Sequence, residues 1–195
     1  MLYLQRRGAH NVNFVTPSHY FLQLRKAILI ARENGLNIPI VYNTSGYDLP
    51  EAIEAMSGIV DIYMPDMRYW ESRYAKMFSN AANYPDVAKE AIKLMYSQVG
   101  NLKLDDNGIA IRGLLIRLLV LPENISGTVK TLEWIAQNIS TKTYLSVMSQ
   151  YFPAHRAKEF TSLDRRIYAS EYIEVLEAID KFGFARGYIQ PLPQE

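Results

Sequence analysis

The sequence predicts an α/β protein built on parallel strands, and three observations carry that prediction. Apolar runs alternate with amphipathic stretches, strand then helix, about five times along the chain, a pattern that calls for parallel strands joined by right-handed crossovers. The run 113–121, GLLIRLLVL, is apolar except at Arg117, the composition of a strand buried on both faces. Proline and glycine stand at the borders of these segments, where helices start and stop. Either a doubly wound sheet or part of a β/α barrel satisfies the pattern. The 195 residues suffice for one sizeable core and fall short of two comfortable ones, so residues 1–195 are expected to form a single domain.

Taken in order, residues 1–7 look like the last turns of a helix without a cap, closed by Gly8. Residues 11–15, NVNFV, form a short strand. Thr16 then caps a helix that begins at Pro17 and runs to about residue 34, with Tyr20, Leu24, Ala27, Ile28 and Ala31 on one face and Gly35 as its stop. The strand 38–42, IPIVY, ends in the turn-prone Asn43-Thr44-Ser45-Gly46, and a short helix near 50–56 leads to a strand at 58–63. Residues 65–83, rich in Tyr, Arg, Ser and Asn, read as an irregular cover.

Tyr84-Pro85-Asp86 opens a clear helix, which places Val87, Ala91, Leu94, Met95 and Gln98 together and ends at Gly100. Residues 102–108, LKLDDNG, read as a small hairpin or loop with an Asn-Gly turn. After the apolar strand come a helix at 128–139, a strand at 143–148, an irregular stretch at 150–166, a helix at 170–182 and a proline-rich tail.

Composition narrows the function. Lys and Arg number 21 against 20 acidic residues, for a net charge of +1, so no basic face argues for nucleic acid or an anionic membrane. No apolar run approaches the roughly 18 residues of a membrane span, and the N-terminus lacks a signal-peptide core, which leads to the expectation of a cytoplasmic protein. The chain has no cysteine, so disulfides, thiol nucleophiles and cysteine-held metal or iron–sulfur sites are outside its own chemistry. His10, His19 and His155 have no metal-ligand spacing, and no metal site is expected; no catalytic residue is assigned.

The stretch 58–70, GIVDIYMPDMRYW, is where a site should form. Pro65 withholds a ladder donor and is expected to stop its strand, which leaves Asp66 at the carboxyl end, where helix-covered sheets meet their ligands. Asp66 is open to a second reading as a loop or helix cap. Arg117 is a lone charge in an apolar strand and must face a partner, either a ligand's carboxylate or phosphate or an internal acid such as Asp61 or Asp66. Asn43 and Thr44 offer donors and acceptors at another strand end but also make an ordinary turn.

Five runs taken together carry a resemblance: GAHNVNFVTPSHY at 8–20, IPIVYNTSGYD at 38–48, VDIYMPDMRYW at 60–70, RGLLIRLLVLPENISGT at 112–128 and YLSVMSQYFPAHRA at 144–157. In order, and over nearly the whole chain, they resemble the radical S-adenosylmethionine proteins of the pyruvate formate-lyase activating enzyme type. The resemblance implies a partial, TIM-like β/α barrel that binds S-adenosylmethionine and a [4Fe–4S] cluster at the strands' carboxyl ends. Such enzymes generate a 5′-deoxyadenosyl radical, which in activases abstracts hydrogen from a glycine of a partner protein.

By resemblance, Thr16, Pro17 and Ser18 stand where the family meets the cofactor's amino group, and Asn43 and Thr44 near the ribose and methionine. Asp66 falls at an Asp-x-Lys-like position with Arg68 in place of lysine, Arg117 heads an Arg and Val-x-Pro stretch that contacts the cofactor, and Gln150 lies on the last strand's exit. The family's Cys-x-x-x-Cys-x-x-Cys segment has no counterpart, and the resemblance begins near the end of the first helix, so the first βα unit is expected to be missing.

Two readings follow from that departure. The chain is the C-terminal part of such an enzyme, inactive as written, with a glycyl-radical protein as its partner, or it is a cluster-free, non-catalytic descendant that binds a ligand or partner. A barrel lacking its first strand would leave residues 11–15 as an open apolar edge that invites self-association or covering by an N-terminal segment, so self-association favours the first reading and a well-behaved monomer the second. A hydrolytic reading on Asp61 and Asp66 lacks a second strand-end carboxylate.

Overall fold

Strands and helices alternate along the chain as the hydrophobic periodicity requires, in a computed structural model that describes residues 1–192. Two units are distinguished, Met1–Pro65 with Val87–Leu115, and Asp66–Asp86 with Ile116–Glu195.

The first unit opens with α1 (Leu2–Arg6) and β1 (Val12–Val15), then a 3-10 turn at Pro17–Tyr20 that runs into α2 (Phe21–Glu33). It continues through β2 (Ile40–Thr44), α3 (Pro50–Ala55) and β3 (Ile62–Pro65). After the chain returns it holds most of α5 (Tyr84–Val99), the two-residue β4 (Lys103–Leu104) and the first part of β5 (Ala110–Leu119). Pairing is parallel from β1 to β2, with Val12 opposite Ile40, from β2 to β3, with Val41 opposite Ile62, and from β3 to β5, with Ile62 opposite Gly113. Among the described strands of this unit only β4 runs antiparallel, against β5.

Leu24, Ile28 and Ala31 turn the apolar stripe of α2 inward, where Ile28, Ile40, Tyr42, Ile53 and Tyr63 are fully or nearly fully buried. Each such side chain contributes about 1.5–3 kcal/mol by leaving water. Ala27 lies on the exposed side of α2, because the first expected turn is 3-10 and the buried stripe is narrower than predicted.

The second unit contains α4 (Ser72–Ser79), the end of β5, α6 (Thr128–Asn138), β6 (Tyr144–Met148), α7 (Ala169–Lys181) and β7 (Gly187–Ile189). β6 pairs in parallel with β7, Leu145 opposite Gly187, and next to β5, where Val120 N donates to Met148 O at 3.0 Å. Leu118, Leu132, Ile135, Leu145, Val147 and Ile179 form its core. The hydrogen-bonded strand order is β1-β2-β3-β5-β6-β7, with β4 off this path. Order in the sheet therefore follows order in the chain without reversal, as in a β/α barrel and not in a doubly wound sheet. None of the described helices is long and apolar enough to cross a membrane.

Several boundaries differ from the sequence reading. Asn43 and Thr44 belong to β2 and pair with β3, where a turn was expected, because Thr44 buries its side chain and the turn starts only afterwards. Pro65 does not end β3 before itself; it is the last rung, opposite Thr44, where a missing donor interrupts no interior ladder bond. Within the supposedly irregular 65–83 lies α4, held by the fully buried Ala75 and by Tyr74 and Phe78 stacked four residues apart. The tail holds β7, whose three residues are exposed and carry no periodic signal; pairing with β6 alone makes it a strand. The expected tail also includes residues 193–195, which lie outside the described residues.

Candidate functional site

In the second unit a cavity of about 490 Å³ opens at the carboxyl ends of β5 and β6. Asp66, Arg117 and Gln150, three of the residues the sequence singles out, line it together. Asp66 Oδ2 accepts from Arg68 Nε at 3.3 Å and Nη2 at 3.0 Å. Its other oxygen, Oδ1, is buried, 3.4 Å from Arg117 Nε but without a hydrogen-bond donor aimed at it. Arg117 was open to reading as an internal ion pair or as a ligand contact; it makes a charge contact with Asp66 and also lines the cavity. Asp61, the other candidate partner, is held by Arg32 Nη2 at 2.7 Å in the first unit.

Tyr84 fixes this strand exit from beneath. Its hydroxyl donates to Asp66 O at 3.0 Å and accepts from Arg68 N at 2.9 Å, and burial drives the phenol well above its usual pKa, keeping it protonated as a donor. Arg117 Nη2 and Gln150 Nε2 both approach Met148 Sδ, at 3.8 and 3.9 Å. Gln150 is exposed, its Oε1 accepting from Gln190 Nε2 at 3.3 Å. Leu119, Leu121 and Leu163, with the rings of Tyr69, Phe78 and Phe160, form an apolar stretch of the wall, and His155 and Arg156 also line the cavity. Phe78 and Phe160 meet edge to face at 5.1 Å between ring centres.

The other expected site residues lie in the first unit. Thr16 is exposed and left-handed at φ 52°, and its side chain does not cap the turn that Pro17 begins, contrary to the expectation; a capping residue takes extended backbone angles, which Thr16 lacks. Its backbone N–H donates to Asn43 O at 2.7 Å. Pro17 is buried and Asn43 half-buried. Ser18 and Thr44 meet Asp48: the Ser18 hydroxyl donates to Oδ1 and that of Thr44 to Oδ2, both at 2.5 Å, while Tyr42 donates to Oδ1 at 3.1 Å. Both hydroxyls are therefore engaged in holding a carboxylate that is 1% exposed. Burial first, and the Asp48 charge second, push the Tyr42 phenol far above its usual pKa.

Asp48 was missed by the sequence reading, although it ends the quoted run IPIVYNTSGYD; an acid following a strand rich in hydroxyls was the available signal. Phe78 and Phe160 were also missed, and no local pattern joins residues so far apart in the chain.

No protein-family profile matches the chain. Over 182 residues it is 28% identical to an uncharacterised protein of Methanocaldococcus jannaschii, covering 92% of this chain and 48% of that protein. The chain thus spans about half the length of the curated relative it matches. A domain of pyruvate-formate lyase-activating enzyme from Bacteroides vulgatus ATCC 8482 superposes with a TM-score of 0.62 at 10% identity, over 93% of this chain and 98% of that domain. The likeness is one of fold. It matches the parallel, barrel-like strand order described above.

A [4Fe–4S] cluster does not fit the residues of this chain. The sequence has no cysteine, and among the described residues no three His, Asp or Glu side chains gather to hold a metal ion. S-adenosylmethionine is a different case. A buried carboxylate oxygen without a donor, an arginine beside it and an apolar wall suit a ligand with polar donors, a carboxylate and a flat ring.

Proposed function

We propose that this chain is the S-adenosylmethionine-binding part of a radical S-adenosylmethionine protein resembling pyruvate formate-lyase activating enzyme. The observation that carries the reading is Asp66 Oδ1, an acceptor left open in a cavity at the strands' carboxyl ends, with Arg117 beside it. The fold likeness supports the same reading.

Asp66 accepts a hydroxyl or amino donor of the ligand, Arg117 holds its carboxylate, Gln150 offers a donor and acceptor at the exit of β6, and Leu119 and Met148 pack against its ring. In the first unit Ser18 and Thr44 hold Asp48 and so fix the backbone at the ends of β1 and β2, where Thr16, Pro17 and Asn43 also stand. The cluster's ligands, and with them hydrogen abstraction from a glycyl-radical partner, belong to a longer protein, and the chain alone is inactive in that reaction. A cluster-free descendant that only binds a ligand is the second reading, favoured by the complete absence of cysteine.

Isothermal titration calorimetry of the 195-residue chain with S-adenosylmethionine tests the binding claim. Saturable binding that Asp66→Asn and Arg117→Gln each weaken by about tenfold or more supports it. Absence of binding at millimolar ligand, or binding indifferent to both variants, overturns it.

A further inference from the structure

The floor of the second unit's cavity and its mouth differ in chemistry. The floor is the Asp66–Arg117 pair with the ends of β5 and β6. The mouth is formed by the exposed side chains of Arg68, His155 and Arg156, the last two on the 3-10 turn His155–Glu159, next to the rings of Phe78 on α4 and of Phe160 just after that turn. Arg68 and Arg156 have side chains 54% and 68% exposed. Among the described residues Arg156 pairs with Glu159, at 3.0 Å across an exposed i,i+3 step, and Glu159 does not line the cavity. Exposed pairs of this kind hold weakly and exchange readily for a ligand anion. Phe78 and Phe160 lie beside these side chains, half-buried and in edge-to-face contact, with Tyr69 stacked on Phe78.

We infer that the mouth is a substrate site for a small molecule with an aromatic or aliphatic body and a terminal oxyanion. The body lies against Phe78, Phe160 and Tyr69, and the carboxylate or phosphate is held by Arg156 and Arg68. An uncharged ligand would leave the guanidinium groups without a gain, whereas a planar oxyanion meets their paired N–H groups with charge-assisted bonds. A hydrophilic anion would gain nothing from the rings. The inference rests on the proposed reading in that it places a second ligand beside the one held by Asp66 and Arg117.

The test is calorimetric titration of the full chain with 3-phenylpropionate, phenyl phosphate and the uncharged 3-phenyl-1-propanol, alongside S-adenosylmethionine on the same sample. The acid or the phosphate is expected to bind about tenfold tighter than the alcohol. The tighter of the two identifies the oxyanion. Arg156→Gln should reduce that preference to about twofold while S-adenosylmethionine affinity stays unchanged, and Phe160→Leu should weaken the acid and the alcohol alike. Arg156 is exposed, so its variant keeps the fold, and circular dichroism verifies this. Equal affinity for acid and alcohol, or no binding of any of the three, overturns the inference. Binding of the acid without S-adenosylmethionine leaves the mouth standing and removes the proposed floor ligand; the reverse result does the opposite.

Discussion

Arg117 Nε stands 3.4 Å from Asp66 Oδ1, and the same two residues are bridge partners on adjacent backbones, with Met67 N donating to Arg117 O at 3.0 Å. Backbone and side chain thus hold one carboxylate against one guanidinium at the floor of a cavity. The side chains are 15% and 28% exposed, so their attraction is screened less than on an open surface and still costs desolvation. A double-mutant cycle on Asp66→Asn and Arg117→Gln, read by urea unfolding, is expected to give a coupling of about 1 kcal/mol. Additive effects would mean that the pair is held by the backbone alone.

Asp48 makes a sharper prediction. Its carboxylate is 1% exposed and accepts from the hydroxyls of Ser18, Tyr42 and Thr44. Asp48→Asn keeps the shape but replaces one acceptor oxygen with an NH2 group, which then faces a hydroxyl that has lost its acceptor. Leaving buried groups unsatisfied costs about 1–3 kcal/mol each, so a loss of about 2 kcal/mol or more in urea unfolding is expected. A loss under about 0.5 kcal/mol would show that the network rearranges freely.

The strand–helix alternation was legible because period and punctuation are local: Pro50, Pro85, Gly35 and Gly100 mark real boundaries in the fold. Arg117 and Asp66 were legible as a contacting pair because a lone charge in an apolar strand has few bearable explanations. What escaped depends on distant partners. α4 hides in a polar sequence because its helical face is defined by Phe160, far along the chain, and β7 exists only as a neighbour of β6. Asp48, which takes the hydroxyls of both Ser18 and Thr44, escaped because it is brought to them by a turn whose shape the sequence does not spell out.

β1 is the first strand of the sheet order and pairs only with β2 among the described strands. Val12 N donates to Pro39 O and Thr16 N to Asn43 O, so alternation turns the backbone groups of Asn13 and Val15 outward. Val15 is 64% exposed, and neither residue carries the charge that keeps an open edge from pairing. The isolated chain is therefore expected to self-associate with rising concentration in sedimentation velocity, and Val15→Lys to reduce the weight-average mass. An unchanged mass in the variant would place any association elsewhere.

Glu171 gives the chain a pH dependence of known sign. Arg165 donates to its two oxygens at 2.7 and 2.9 Å, and the backbone N–H groups of Glu123 and Tyr168 add bonds of 2.7 Å each. These bonds, Arg165 first, lower its pKa from 4.5 to about 2 despite the opposing effect of burial. A carboxyl whose folded pKa lies below its unfolded one contributes stability that is fully present above the unfolded value and lost as pH falls toward the folded value. The loss belongs to the window between about pH 4.5 and 2. The same carboxylate joins the start of α7 to the Pro122–Asn124 turn, where Glu123 and Asn124 both take left-handed backbone angles. Glu171→Gln should lower stability at pH 7 and flatten the decline of the urea midpoint between pH 4.5 and 3 relative to the unaltered chain. Parallel declines in the two proteins would assign the acid sensitivity to other carboxylates.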